Sequence, residues 1–289
     1  MAYKIAFFDM DGTMYQTEND IIQQANLDAL RKLKEQGVLV CAATGRPLNQ
    51  MHLILERIPY FDYMVLINGG YVLDAQQNLL FENPLARETT QDIVDWCEEQ
   101  QNGLMFHFGD ASYIYDSFYP LYDFCRDHHV LDYLFYDENR SYHKRHNAYN
   151  SVIMTKNQRA LDTFLKQHPM LRSDLIEVAE DHFCYDVFNA NNDKFVGISQ
   201  VLRKENLTWE ECVCFGDSTN DIKMLEMAGM GVAMGTASDY VKSFADMVTA
   251  SVYEEGVAKG LKKIFNSKTL PYIDAGGTTC IIANTCCYH

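Results

Sequence analysis

Residues 5–14 read Ile5-Ala6-Phe7-Phe8-Asp9-Met10-Asp11-Gly12-Thr13-Met14, an apolar run that ends in two carboxylates one residue apart and then in Gly-Thr. A short continuous apolar run bounded by turn residues reads as a buried strand. Its carboxyl end delivers Asp9 and Asp11 to one face, because side chains at i and i+2 point the same way. Carboxylates that close repel, and both stay ionised only beside a cation or by sharing a proton. Gly12 permits the abrupt turn out of the strand. Asp-Gly after a core strand is also ordinary turn chemistry, so the meaning of the pair depends on the rest of the chain.

Outward from this strand the chain alternates. After the strand at 3–9, residues 20–36 read as an amphipathic helix closed by Gly37, and Val38-Leu39-Val40-Cys41-Ala42 as a second buried strand. A helix opens near Pro47, a residue suited to a helix start. Tyr63-Met64-Val65-Leu66-Ile67 is a third strand, ending at Asn68-Gly69-Gly70, with a short hairpin around Asp74–Asn78. This rhythm predicts a parallel sheet with helical crossovers.

From about residue 83 the texture changes. A helix at 87–101, short strands at Leu104–Phe108 and Ser112–Tyr115, a strand at Ala148–Thr155 and a helix at Gln158–Gln167 are expected. Leu175–Ala179 and Phe183–Phe188 form an antiparallel pair, so the segment reads as an α+β insertion rich in Tyr and Phe. The first rhythm then returns. A helix at 194–205 carries Phe195, Ile198, Val201 and Leu202 on one face, and Cys212-Val213-Cys214-Phe215 is a strand ending at Gly216-Asp217. A helix near 219–228, a strand at Gly231–Met234 and a closing helix near 254–265 complete the pattern.

The 289 residues leave room for one large or two modest domains. A composition of 47% hydrophobic and 22% charged residues is that of a globular protein. The net charge of −16 argues against nucleic acid or an anionic membrane as partner, so an anionic substrate requires a locally recruited cation. No window is long enough for a transmembrane span. The apolar run interrupted by Asp9 is too short for a secretory leader. Of nine cysteines, six are scattered before residue 215, and Cys212 and Cys214 do not match zinc spacings. Such usage suits a reduced cytosol, and a cytoplasmic location is expected. His128-His129 and Tyr142-His143-Lys144-Arg145-His146 read as solvated surface.

Four places deliver chemistry. The first is Asp9-Met10-Asp11-Gly12-Thr13. Ala43-Thr44-Gly45-Arg46-Pro47 leaves the second strand for a helix and combines a hydroxyl, a close-approach Gly and a helix start, which suits an anion or a simple cap. Asn192-Asp193-Lys194 puts an ammonium in a first helical turn, where the helix dipole disfavours it unless it reaches a bound anion. In Gly216-Asp217-Ser218-Thr219-Asn220-Asp221 the two acids stand one helical turn apart and can point at one locus, where hard oxygens suit Mg²⁺. In a parallel sheet ligands gather at the carboxyl ends of strands, where three of these pieces emerge.

The ordered set Asp-x-Asp-Gly-Thr, Thr-Gly-Arg, Lys and Gly-Asp-x-x-Asn-Asp resembles the haloacid dehalogenase superfamily, in particular its Cof-type phosphatases with a large cap inserted between the second and third motifs. The likeness runs over about residues 3–266 and is strongest at 3–14, 42–47 and 212–260. Met224-Leu225-Glu226-Met227-Ala228-Gly229-Met230-Gly231-Val232-Ala233-Met234-Gly235 is similar to the family's stretch after the fourth motif, while Ser218 stands where many relatives carry Gly. The resemblance implies an α/β fold. Its Rossmann-like parallel-sheet core would span 1–82 and 188–266, with an inserted α+β cap domain at 83–187 that chooses the substrate, and it leaves a tail at 267–289 without a role.

For the site, the resemblance implies Asp9 as nucleophile and Asp11 as general acid and base, the latter not a side-chain metal ligand. Mg²⁺ would be held by the Asp9 carboxylate, the Met10 backbone carbonyl and Asp217, with Asp221 binding it directly or through water. Thr44, Lys194 and Asn220 would hold the phosphoryl oxygens. The implied activity is hydrolysis of small phosphorylated metabolites, sugar phosphates or phosphorylated cofactors, through an aspartyl-phosphate. Tyr142–His146 would be a contact for a second anion. A phosphomutase on the same core, and a non-catalytic phosphate-binding regulatory protein, are the alternatives.

Overall fold

The computed structural model describes residues 3–109, 111–116, 118–127, 134–179 and 182–265. Its larger sheet has eight strands in the order Met247–Val248, Met230–Ala233, Cys212–Gly216, Ile5–Phe8, Leu39–Ala43, Tyr63–Leu66, Tyr71–Asp74 and Leu79–Glu82. The first six run parallel and the last two add an antiparallel edge, so the sheet is α/β as expected, with the Asp74–Asn78 hairpin as part of it. Ile5–Phe8 is central, Ile5 lying beside Cys212 on one side and Leu39 on the other. The chain moves to one side of this strand first and to the other side later, which makes its carboxyl end a topological switch point.

Burial on both faces explains why the central strand is apolar throughout. Ala6 and Phe8 pack into the core shared with the helices Gln24–Glu35 and Gly256–Phe265, while Ile5 and Phe7 pack with Ile198, Val201 and Leu202 of the helix Lys194–Glu205. Phe8 also stacks on Phe215, their rings 5.2 Å apart.

The second sheet has six strands in the order Leu171–Ala179, His182–Asn189, Ala148–Thr155, Gly103–Phe108, Ser112–Asp116 and Leu134–Tyr136, all antiparallel except the last pair. The helices Arg87–Gln100 and Gln158–Gln167 cover one face. Part of the other face is covered by Phe118–Asp127, through Leu121 and Cys125. The two connections to the larger sheet run side by side, Asn83 Nδ2 donating to Asn192 Oδ1 at 2.7 Å.

Several local expectations are corrected. The helix expected at 20–36 spans Gln24–Glu35, because Asp20 sits at φ 52° and Ile21 bridges back to Gln16. The helices expected near Pro47 and at 219–228 open with the short 3₁₀ turns Leu48–Met51 and Thr219–Asp221 before His52–Arg57 and Ile222–Met227. The strand expected from Leu175 begins at Leu171, its alternation broken by a bulge between Leu175 and Glu177. His143 is buried rather than solvated, its Nδ1 3.2 Å from Tyr115 Oη. Cys41, Cys97, Cys125, Cys184, Cys212 and Cys214 are free and buried. His128-His129 and the tail at 267–289 lie outside the described residues.

Candidate active site

The turn after the central strand is built on one oxygen. The Met10 carbonyl accepts the amides of Thr13, Met14 and Tyr15 at 3.2, 2.9 and 2.8 Å, so the chain reverses at once and leaves Asp9 at the strand end. Gly12 lies at φ 76°, and a Cβ there would come within 2.5 Å of Asp217 Oδ2. Only glycine lets this turn meet the end of Cys212–Gly216. Across that meeting point Thr13 Oγ1 donates to Asp217 Oδ1 at 2.7 Å. Asp221 braces the same loop, its Oδ2 accepting the Asp217 and Ser218 amides at 2.9 and 3.0 Å.

Lys194 enters from the opposite side. Ile67, Asn68 and Gly69 have φ values of 49°, 48° and 87°. A Cβ on Gly69 would lie 2.0 Å from the Asp193 carbonyl oxygen, so this turn and the start of Lys194–Glu205 touch through backbone. That contact drives the Lys194 side chain inward to 1% exposure. Its Nζ donates to Asp9 Oδ1 at 2.6 Å and to Asp221 Oδ1 at 2.7 Å.

Charge in this cluster does not balance. One oxygen from each of Asp9, Asp217 and Asp221 lies within 4.8 Å of the others, against a single ammonium. Burial, together with the neighbouring Asp221, pushes Asp9 well above the usual carboxylate range despite Lys194. Burial and Asp221 also push Asp217 up to about 6. Burial works against the charge on Lys194, but Asp221 and Asp9 outweigh it and hold the ammonium above its ordinary value. A hard divalent cation fits this donor set, since it would cancel the excess negative charge that raises the carboxyls.

Asp11 is held differently. Arg46 grips it with Nε on Oδ2 at 2.8 Å and Nη2 on Oδ1 at 2.7 Å, and Thr17 Oγ1 donates to Oδ1 at 2.6 Å. Burial opposes ionisation here too, yet Arg46 and Thr17 keep the carboxyl below its usual value. Arg46 is itself placed by Tyr15, whose ring centroid lies 5.0 Å from its guanidinium carbon, and by the Gln50 carbonyl at 3.0 Å. Thr44 is buried, its Oγ1 accepting the Arg46 amide at 3.1 Å. Asn220 Nδ2 donates to Asn68 Oδ1 at 2.9 Å.

A cavity of about 450 Å³ lies over these groups, with Asp9, Asp11, Thr44, Arg46 and Asn220 on its floor. The second sheet supplies His107 and Asp186 to its roof. Of the residues singled out in the sequence, Asp9, Lys194, Asp217 and Asp221 converge on one locus, and Asp11, Thr44 and Asn220 border the cavity above it. Sequence reasoning missed Arg46 as a site residue, although it stood in the Thr-Gly-Arg motif, and it missed Asn68, His107 and Asp186. Arg145 and His146, expected near a second anion, line a separate depression of about 560 Å³ with Arg87 and Tyr71.

Strand-end carboxylates, an inward lysine and an inserted sheet above them define a hydrolase of the haloacid dehalogenase type. The chain belongs to the haloacid dehalogenase-like hydrolases, whose family model matches residues 6–261, and by class it is a Cof-type phosphoric monoester hydrolase. It is 28% identical over 260 residues to the 5-amino-6-(5-phospho-D-ribitylamino)uracil phosphatase YcsE of Bacillus subtilis, covering 90% of this chain and 94% of the relative. An HMP-PP phosphatase of Yersinia pseudotuberculosis is 27% identical over 285 residues, covering 93% and 98%. A crystal structure from Geobacillus kaustophilus superimposes with a TM-score of 0.81 at 28% identity, covering 91% of this chain and 99% of that one. No helix among the described residues is long and apolar enough to cross a membrane.

Proposed function

We propose that the chain hydrolyses small phosphorylated metabolites by way of an aspartyl-phosphate on Asp9, with Mg²⁺ as cofactor. The observation that carries this reading is Asp9 at the floor of the cavity, fixed by Lys194, with Asp11 beside it in the hold of an arginine. Asp9 attacks phosphorus and the ester P–O bond breaks as Asp11 protonates the leaving oxygen. Water then attacks the aspartyl-phosphate, Asp11 takes its proton, and phosphate and free Asp9 result. A bound phosphate ester brings its own negative charge to Arg46, which loosens the grip on Asp11 and raises its affinity for the proton it must donate.

Asp9, Asp217 and Asp221 would hold Mg²⁺, which when bound neutralises charge on the transferring phosphoryl group. The Met10 carbonyl, expected as a ligand, does not suit that role because three amides already converge on it. Lys194, Thr44 and Asn220 are placed to meet the phosphoryl oxygens. The named relatives act on a ribityl phosphate and on HMP-PP, which supports a small phosphorylated metabolite as substrate class.

The test is inorganic phosphate release from a panel of phosphorylated metabolites, with Mg²⁺ and with EDTA, alongside Asp9→Asn. Metal-dependent release that falls by about 10³-fold or more in the variant is expected. Retention of most activity by Asp9→Asn would sink the nucleophile assignment. Return of the phosphoryl group to another hydroxyl would make the enzyme a mutase.

A further inference from the structure

The cavity has a second polar end. On the inserted sheet His107 pairs with Asn150, and Asp186 with Val152, so the register puts His107 and Asp186 on one face together with Met105. Both His107 and Asp186 line the cavity opposite Asp9 and Asp11, flanked by the apolar Met105, Val152, Phe124 and Ile176.

Each of the two is fixed from behind. Ser112 Oγ accepts from Asn49 Nδ2 at 3.0 Å and lies 2.6 Å from His107 Nδ1. In the tautomer in which Ser112 Oγ donates to Nδ1, Nε2 carries the ring hydrogen and faces the cavity as a donor. Burial pushes His107 down to about 3, which keeps the ring neutral. Asn150 Nδ2 donates to Asp186 Oδ1 at 2.9 Å, and Oδ2 has no hydrogen-bond partner among the described residues. One donor and one acceptor therefore remain for a ligand. Among the described residues the inserted sheet contributes no Lys or Arg to the cavity lining. Below them, Arg46 is already engaged by Asp11, and Lys194 by Asp9 and Asp221.

We propose that His107 and Asp186 form the leaving-group subsite, and that it takes an uncharged leaving group bearing hydroxyl or N–H donors while rejecting one that ends in a carboxylate or a second phosphate. The proposal rests on the phosphatase reading above and narrows its substrate class. When ionised, Asp186 accepts at Oδ2 from a hydroxyl or N–H of the leaving group, His107 Nε2 donates to one of its oxygens, and the apolar side chains cover its carbon skeleton. A second anion would face Asp186 in a desolvated space without a cation of its own. Burial, and then Asp174, push Asp186 up to about 7, so the charge that turns a second anion away is present above that pH.

Sorbitol 6-phosphate and 6-phosphogluconate make the test, since they differ only in a terminal CH₂OH against a carboxylate. With p-nitrophenyl phosphate as a reference for the shared chemistry, the wild type should favour the sorbitol ester in kcat/KM by roughly 10- to 100-fold. In Asp186→Asn that ratio should fall by about tenfold, through a higher KM for the sorbitol ester and a lower one for the carboxylate. His107→Phe keeps a ring but removes the donor, and it too should lower the ratio, which guards against a misfolded Asp186 variant. Hydrolysis of p-nitrophenyl phosphate without discrimination, or a preference for 6-phosphogluconate, overturns the subsite and leaves the phosphatase intact. An unchanged ratio in both variants, each melting cooperatively, also overturns the subsite. Failure to hydrolyse any of the three compounds removes the phosphatase reading, and the subsite with it.

Discussion

The floor and the roof of the cavity are built on opposite chemical plans. On the floor three carboxylates crowd around one ammonium and a fourth is gripped by a guanidinium, with burial opposing every one of those charges that it perturbs. Backbone geometry enforces the crowding through the Gly12 turn and the contact between Gly69 and Asp193. On the roof the two ionisable groups are both pushed toward neutrality, His107 downward and Asp186 upward, and apolar side chains flank them in the cavity. The floor is suited to one ligand group of fixed charge, and its parts are locked together. The roof depends on a few side chains whose replacement leaves the sheet intact, so it is where one member of such a family can differ from another.

If the floor is held by charge, removing its one buried ammonium should have the largest effect. Lys194→Ala leaves Asp9 and Asp221 buried without their partner, and a buried pair broken in this way costs about 3–5 kcal/mol. Urea unfolding should show that loss, and phosphate release should fall with it. Mg²⁺ added to the variant should recover part of the stability, because a cation bound by the three carboxylates stabilises only the folded chain. A midpoint that moves by less than a tenth of the expected loss would mean that the cluster is not held by charge. Insensitivity to Mg²⁺ would mean that the trio is not its site.

The same contrast governs how much was legible in the sequence. The floor was legible because strands pin its residues: Asp9, Thr44 and Asp217 stand immediately beyond strand ends, and parallel neighbours bring those ends together. The carbonyl of Met10 was misread because a turn's internal hydrogen bonds leave no mark in residue types. Arg46 went unassigned for a similar reason: its partner Asp11 is distant in the chain, and only the fold brings them to 2.7 Å. On the roof, His107 and Asp186 meet through antiparallel register across Ala148–Thr155, and one residue of slip would have turned either away. The first half of Leu171–Ala179 reads Leu-Arg-Ser-Asp, too polar to announce a strand, because this outer strand has a partner on only one side.

Arg46 sharpens the comparison, since it belongs to the floor yet is carried on the turn beneath the roof. Arg46→Ala should lower kcat/KM by about 10²-fold by freeing Asp11. Arg46→Lys should recover little, because two parallel hydrogen bonds need the planar fork and an ammonium supplies a single point of charge. Added guanidinium should rescue the alanine variant in part and leave the lysine variant unmoved. Full activity in Arg46→Lys would show that charge alone, and not the fork, positions Asp11.

The smallest effect expected is a stability difference on the roof that depends on pH. Asp186 carries its proton up to about 7 in the folded chain, against an ordinary value of 3.8, so folding favours the protonated form. What that proton contributes is fully present below about pH 4, where both states hold it, and is lost as pH rises through 7. Asp186→Asn has no such proton to lose. Wild type should therefore lose stability relative to the variant between pH 4 and pH 7, with a constant gap beyond. Urea midpoints of the two proteins across that range measure it directly, and the floor's own titrations cancel because both carry them. A gap that stays flat with pH would mean that Asp186 is as well solvated folded as unfolded. The roof would then be a wet surface able to receive a second anion, and the opposition between floor and roof would disappear.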